Sequence, residues 1–134
     1  MKFKLSANEG GFYVEVEATY LGNDLLISCT GGDQPHIGAV AVAHTRGDLD
    51  ADGKVRASAN IICLSGHRED ELARSAALKL CRALDCTVTV VAGMHWRHID
   101  RKGIDQVVAN VESLIERLQE ILLEYAAGES HAEA

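Results

Sequence analysis

The chain has 134 residues, of which 47% are hydrophobic and 25% are charged, and its formal net charge is -7. This composition is typical of one soluble globular domain and excludes a largely disordered chain. The negative charge and an aromatic content of 4% argue against nucleic acid as a partner, because backbone binding needs basic surface and base stacking needs aromatic rings.

The chain contains no apolar run of about 18 residues, so we expect no membrane-spanning helix. Its first residues, Met-Lys-Phe-Lys, lack the apolar segment of a signal peptide. Cysteines lie at positions 29, 63, 81 and 86 within apolar patterns and form no Cys-x-x-Cys pair, which favours reduced, buried thiols. These features together predict a cytoplasmic protein.

The first 29 residues predict three strands. Phe3 and Leu5 indicate a short first strand, and residues 12–21 alternate between apolar and polar side chains, as in a half-exposed strand. Turn residues at 22–24 separate this strand from residues 25–29. The second and third strands should therefore pair as an antiparallel hairpin.

The segment Thr-Gly-Gly-Asp-Gln-Pro-His-Ile-Gly at residues 30–38 is the best candidate for a functional site. Consecutive glycine N–H groups can bind an anion, and His36 can donate a hydrogen bond to a phosphate or carbonyl oxygen. A wide turn with His36 at the surface is an equally good interpretation. The segment is not a phosphate-binding P-loop, because it has no lysine and a strand follows it.

Residues 37–44 are small or apolar on both faces, which predicts an interior strand, and residues 55–64 predict another. Between them, Asp48-x-Asp50-x-Asp52-Gly53 resembles the first half of a calcium loop. Its twelfth position is Ala59 where glutamate is required, so we interpret the segment as an acidic hairpin.

Two helices and a central strand complete the predicted fold. Apolar residues recur every four positions from Leu72 to Leu84, residues 86–92 form the most β-prone run, and Asp100 is a candidate N-cap for a second, long helix. We therefore predict a single α+β domain over residues 1–127, in which two helices pack on one face of a mostly antiparallel sheet, and a disordered tail at 128–134. The long apolar stripe of the second helix, or a sheet edge, predicts a homodimer.

Two further segments could contribute to a site. Ser65-Gly66-His67-Arg68 precedes the first helix, where free N–H groups attract anions, although acidic residues at 69–71 oppose this and an exposed helix cap is the commoner case. His95-Trp96-Arg97-His98 follows the central strand, but its His-x-x-His spacing lacks further metal ligands. No nucleophile motif is present, so we expect a binding or accessory protein and not an enzyme.

Three segments together resemble a known family. They read Gly-Gly-Asp-Gln-Pro-His-Ile-Gly at 31–38, Ser-Gly-His-Arg-Glu-Asp at 65–70 and Ala-Gly-Met-His-Trp at 92–96. In these segments the chain is similar to the LpdD-like proteins, the small D component associated with gallate-type, UbiD-like hydroxyarylic acid decarboxylases. The first segment is the most specific part of the resemblance.

The resemblance implies a chaperone for prenylated flavin mononucleotide (prenylated FMN), with a UbiD-like decarboxylase as partner and a fold like that of small proteasome assembly chaperones. By position it identifies the family's glycine segment and two converging partners, to which we assign cofactor binding on chemical grounds. These residues are Gly31, Gly32, Pro35, His36 and Gly38, with Arg68 and His95 as the partners. An assembly factor without a ligand, and a small enzyme that uses His36 or His95 as a general base, are the alternatives.

Overall fold

The structure, a computed structural model, describes the backbone of residues 1–64 and 69–133, with side chains up to residue 129. Within these ranges the chain forms strands, a short 3-10 turn at Glu9–Gly11 and two long helices. In chain order they are β1 (Lys2–Ala7), β2 (Val14–Leu21), β3 (Asp24–Gly32), β4 (Ala39–Leu49), β5 (Val55–Cys63), α1 (Asp70–Leu84), β6 (Val88–His95) and α2 (Arg101–Glu133).

The described strands form one six-stranded sheet in the order β1-β2-β3-β6-β4-β5. Strands β3 and β6 are parallel, and every other neighbouring pair is antiparallel. Helix α1 packs on β4, β5 and β6, while α2 packs on β1, β2 and α1. The predicted α+β architecture, with a mostly antiparallel sheet and two helices on one face, is therefore confirmed.

The core lies between this face of the sheet and the helices. Every second residue of β2 is fully buried from Val14 to Ala18, as the alternating sequence predicts, and so are the alternate residues of β4 from Ala39 to Ala43. The small alanines of β4 let α1 approach the sheet closely.

Helix α2 buries its apolar stripe within the single chain. The stripe is covered from Val107 to Leu122 by the sheet and by α1, and Leu114 and Leu118 are fully buried. This part of the stripe consequently needs no partner chain. Homodimerisation stays a prediction, as do the domain boundary at residue 127 and the disordered tail. No helix in the described part of the chain is long and apolar enough to cross a membrane.

The acidic hairpin between β4 and β5 is held by one of its own carboxylates. Asp50 Oδ1 accepts hydrogen bonds from the backbone N–H groups of Asp52 and Lys54, both at 2.9 Å. These bonds, that of Lys54 first, lower the pKa of Asp50 by stabilising its charged form. Asp50 therefore has a structural role in the turn.

The four cysteines differ in their surroundings. Cys29 and Cys81 are buried, but Cys63, which the apolar pattern placed in the core, is exposed because β5 is an edge strand. Burial raises the pKa of Cys29 to about 12 and that of Cys86 to about 11 by disfavouring the thiolate.

We expect alkylation of the native protein at mildly alkaline pH to modify Cys63 first, because the thiolate is the reactive form and needs access to solvent. Peptide mass spectrometry against time would measure the order of modification. In the Cys63→Ser variant the fast phase should disappear, and denaturation should expose all the remaining thiols. Fast labelling of Cys29 in the native state would contradict the buried position of β3.

Candidate functional site

One end of the sheet brings together residues 30–38 and 95–98, two of the segments that the sequence singled out, whereas residues 65–68 lie outside the described part of the chain. Strands β3 and β6 are parallel and therefore end side by side. Strand β4 runs antiparallel to both β6 and β5, so β5 has the same direction as β6 and ends at the same edge of the sheet. The residue after β5, Leu64, donates its backbone N–H to the carbonyl of Gly38 at 2.9 Å. The loop of residues 33–38 thus lies between the ends of β5 and β6.

The glycine-rich loop is long because it crosses a strand. It connects β3 to β4, and β6 lies between these two strands in the sheet. The loop passes over the end of β6, where a Cβ atom on Gly93 would overlap the carbonyl group of His36. The length of the glycine-rich segment at 30–38 is therefore explained by this crossing.

The glycines of the segment allow close packing at the crossing. Gly32 has a φ of 79°, and an added Cβ there would overlap the carbonyl of His95 and lie 3.0 Å from the Trp96 ring. An added Cβ on Gly38 would lie 2.6 Å from a carboxylate oxygen of Glu69. The glycines consequently admit Trp96 on one side of the loop and Glu69 on the other.

Backbone amides of the loop donate to carbonyl groups. The bonds are Gly32 to Tyr13 at 3.3 Å, Asp33 to His95 at 2.7 Å, His36 to Gly93 at 3.5 Å and Gly38 to Ala92 at 2.9 Å. These four N–H groups attach the loop to β6 and to Tyr13, the residue before β2, so they cannot together form the anion-binding concavity that motivated the sequence-based hypothesis. A ligand at this end has to be held by other groups.

Glu69 connects the loop, α1 and β6, and it is only 9% exposed. It is the N-cap residue of α1, and its Oε1 accepts a hydrogen bond from the backbone N–H of Met94 at 3.2 Å. His36 Nε2 lies 3.4 Å from the same oxygen, and His36 Nδ1 lies 2.9 Å from the carbonyl oxygen of Gln34. The pair of His36 and Glu69 thus fixes the loop against the start of α1.

Sequence reasoning missed the role of Glu69. It treated this residue as one of the acidic residues at 69–71 that oppose anion binding before the first helix. The available signal was only its position directly after the Ser-Gly-His-Arg segment. Its contact with Gly38, which leaves room for its side chain, is seen only in the folded chain.

Trp96 closes the end of the sheet next to the exposed His95. The indole ring packs edge-on against Phe12, with ring centroids 5.7 Å apart, and covers Gly32. Asp33 Oδ2 accepts a hydrogen bond from the backbone N–H of Arg97 at 3.1 Å, which joins the glycine-rich loop to the segment after β6. One edge of the indole remains available to a neighbouring cleft.

That cleft lies between α1 and α2, above the end of β6, and has a volume of about 990 Å³. Its size is at the upper end of the range of small-molecule sites, about 300–1,000 Å³. Glu69, His95 and Trp96 line the end nearest the glycine-rich loop. The floor and walls are mainly apolar: Leu72, Ala76, Met94, Val107, Val108, Val111 and Ile115.

Charged side chains line the outer parts of the cleft, and most of them are acidic. Lys79 of α1 forms an ion pair with Glu116 of α2, which joins the two helices, and Arg101 Nε lies 3.7 Å from Asp105 Oδ1. Glu71 and Glu112 add negative charge. An apolar or aromatic group suits the floor, whereas an anionic group needs the cationic or imidazole groups at the margins.

The structure brings most of the predicted site residues together. Gly31, Gly32, Gly38 and His36 lie at the crossing, and His95 lies beside it at the end of the cleft. Pro35 is exposed within the same loop. Arg68 lies outside the described residues. Whether any of them contacts a ligand stays a prediction.

A family model for the prenylated flavin chaperone LpdD-like domain matches residues 8–123. The chain belongs to this family. The family resemblance noted in the sequence is therefore confirmed, and the match covers every strand from β2 onward as well as both helices except the end of α2.

The fold is similar to that of a solved chain from the crystal structure of a novel chaperone complex for yeast 20S proteasome assembly. The TM-score is 0.54 at 9% sequence identity, and the alignment covers 86% of this chain and 98% of that chain. At this identity the likeness concerns the fold alone. It confirms the predicted similarity between this fold and that of a proteasome assembly chaperone. No curated protein sequence matches the chain.

Proposed function

We propose that this protein binds prenylated FMN and delivers it to a UbiD-like decarboxylase, without catalysing a reaction itself. The observation that carries the proposal is the family match over residues 8–123. The cleft between α1 and α2 supports it, because it is a concave, largely apolar site at the end of the sheet where the family-like segments 31–38 and 92–96 meet.

The apolar part of the cleft fits the chemistry of the flavin ring and its prenyl addition. A flat ring gains from contact with Leu72 and Val108, apolar cleft residues that keep part of their surface exposed, whereas Met94 and the other valines of α2 are at most 8% exposed. The indole of Trp96 stands at the end of this surface and offers an aromatic edge to a second ring. Reversible binding of this kind is what a delivery protein requires.

The phosphate needs a position away from the acidic residues in the outer cleft. In this proposal it lies at the end near His95, which is exposed and can donate a hydrogen bond. Arg68, directly before Glu69 in the sequence, is the proposed cation there. Gly31, Gly32, Pro35 and Gly38 shape the margin, and His36 contributes through its contact with Glu69.

Anaerobic titration with FMN and prenylated FMN tests the proposal. Trp96 is the only tryptophan in the chain, so its fluorescence reports on binding at the end of the cleft. We expect Val108→Tyr, which fills the cleft from α2, to weaken binding at least about tenfold by excluding the ring. Ala109→Tyr is the matched control, since residue 109 is exposed and does not line the cleft.

The possible results separate the parts of the proposal. Equal affinity in the Val108→Tyr and Ala109→Tyr variants would exclude the cleft as the binding site. Absence of any fluorescence or melting-temperature change with every flavin tested would favour an assembly factor without a ligand. Transfer of bound cofactor to a cofactor-free decarboxylase, measured by recovery of its activity, tests the delivery step.

A further inference from the structure

A second concave surface lies on the exposed side of α1, between the β4–β5 hairpin and α2, and has a volume of about 690 Å³. Its floor is apolar at Leu78, which is 7% exposed. The charged side chains that line it are all cations, and we name the surface they define the basic groove: Lys54, Arg74, Lys79 and Arg82.

The charge of the basic groove is opposite to that of the molecule as a whole. The chain carries 20 Asp or Glu residues against 13 Lys or Arg residues, and the margins of the flavin cleft are mostly acidic. No acidic residue of the described ranges lines the basic groove. A concave surface lined by one sign of charge focuses its field, so the groove attracts anions although the net charge of the chain repels them.

Two of the four cations have an acidic neighbour, and two do not. Arg74 Nη1 lies 3.8 Å from Glu71 Oε1, and Lys79 forms the ion pair with Glu116 described above. Lys54 and Arg82 are exposed and form no ion pair within the described part of the chain. Their charges are therefore available to a partner.

The wall that α2 contributes to the groove contains a buried acceptor. Gln119 Oε1 is shielded from solvent and has no hydrogen-bond partner among the described residues. Such an oxygen costs free energy until a donor reaches it, and rotation about the broad terminal torsion of a half-buried glutamine can present it to a guest. A peptide backbone N–H is a suitable donor, whereas the phosphodiester groups of nucleic acid offer only acceptors.

We propose that the basic groove binds an acidic segment of a partner protein in extended form. Arg74 and Arg82 are about 12 Å apart along the axis of α1, at about 1.5 Å per residue. Alternate residues of an extended peptide are about 7 Å apart, so carboxylates at every second position match this row over two spacings. Arginine clusters recognise acidic motifs in this way, and the apolar floor accepts the aliphatic part of the acidic side chains.

Fluorescence polarisation with a short labelled peptide of alternating glutamate and alanine tests this inference. The control peptide carries glutamine in place of glutamate. We expect the acidic peptide to bind at low salt and to dissociate as salt rises, because the attraction is screened, and we expect the neutral peptide not to bind.

Charge reversal locates the binding surface. Arg82→Glu should weaken binding of the acidic peptide at least about fivefold, and Lys54→Glu repeats the test on the hairpin. Arg117→Glu is the matched control, because Arg117 is exposed on α2, lines neither the groove nor the cleft, and makes the same change in net charge. We expect less than about a twofold effect from it.

Gln119→Leu separates binding from folding. It removes a buried oxygen that has no partner in the described part of the chain, so the melting temperature should stay equal or rise. The affinity for the acidic peptide should nevertheless fall about threefold, because a backbone N–H of the peptide loses its acceptor. Unchanged affinity in this variant would overturn the assignment of Gln119 to the site.

Three results would overturn the proposal. They are no binding of the acidic peptide at low salt up to millimolar protein, equal losses in Arg82→Glu and Arg117→Glu, and tighter binding of a single-stranded DNA oligomer than of the peptide. Circular dichroism would verify that each variant is folded. The outcome is independent of the proposed cofactor role, because Lys54 and Arg82 do not line the cleft and their variants should bind FMN as the wild type does.

Discussion

Replacing Gly93 by alanine is expected to destabilise the protein by about 3 kcal/mol, a large fraction of the stability of a small domain. The new Cβ would overlap the backbone carbonyl of His36, which a side-chain rotation cannot relieve. The loop of residues 33–38 would have to separate from β6 and lose the hydrogen bond between the Gly38 N–H and the Ala92 carbonyl, now 2.9 Å long.

Urea denaturation of Gly93→Ala, followed by circular dichroism, measures this loss. Gly128→Ala is the control, because nothing lies within 4 Å of the corresponding Cβ and alanine favours a helix. The control should be neutral or slightly more stable than the wild type. Equal stability of the Gly93→Ala variant would show that the loop does not cross β6 in the way described.

The Asn110→Leu variant is expected to lose about 2 kcal/mol of stability, although leucine is close to asparagine in size. Asn110 is 2% exposed, and its Nδ2 donates hydrogen bonds to the carbonyl oxygens of Glu9 at 3.1 Å and Phe12 at 2.8 Å. A leucine would remove both donors from a buried position. The turn before β2 would then lose its attachment to α2.

Gln106→Ala is the matched control for this variant. Gln106 is half-buried on the same helix, its Nε2 donates to Asn110 Oδ1 at 2.8 Å, and its aliphatic stem packs beside Gly10 of the turn. We expect a loss of about 1 kcal/mol or less, measured by the same denaturation. A Gln106→Ala variant as unstable as Asn110→Leu would contradict the view that the two hydrogen bonds from Asn110 to the turn account for the effect.

The elements themselves were predictable because their signals are local. Alternation in β2, the four-residue period of α1 and the side chain of Asp100, whose Oδ1 accepts from the Gly103 N–H at 2.8 Å, all act within a few residues. The composition of residues 86–92 also correctly indicated a central strand.

The order of the strands was not predictable in the same way. Nothing near residues 30–38 indicates that β6, more than fifty residues later, inserts between the strands on either side. The glycines were correctly recognised as special, but their packing against His95 and Glu69 depends on that insertion. The pairing of His36 with Glu69 was hidden for the same reason, since the two residues are neighbours only in the folded chain.

The central position of β6 also has a consequence for how the molecule is made. During synthesis the β1–β2–β3 meander and the β4–β5 hairpin emerge first. Strands β3 and β4 each keep one edge without a hydrogen-bonded neighbour until β6 is made and inserts between them. The pairing of β6 with β3 and β4 joins residues far apart in the sequence, and such contacts form slowly. Until they form, the unpaired strand edges are prone to aggregation. Because β6 also carries Met94 and His95, a ribosome-bound fragment that stops before it can have neither a closed sheet nor a cleft.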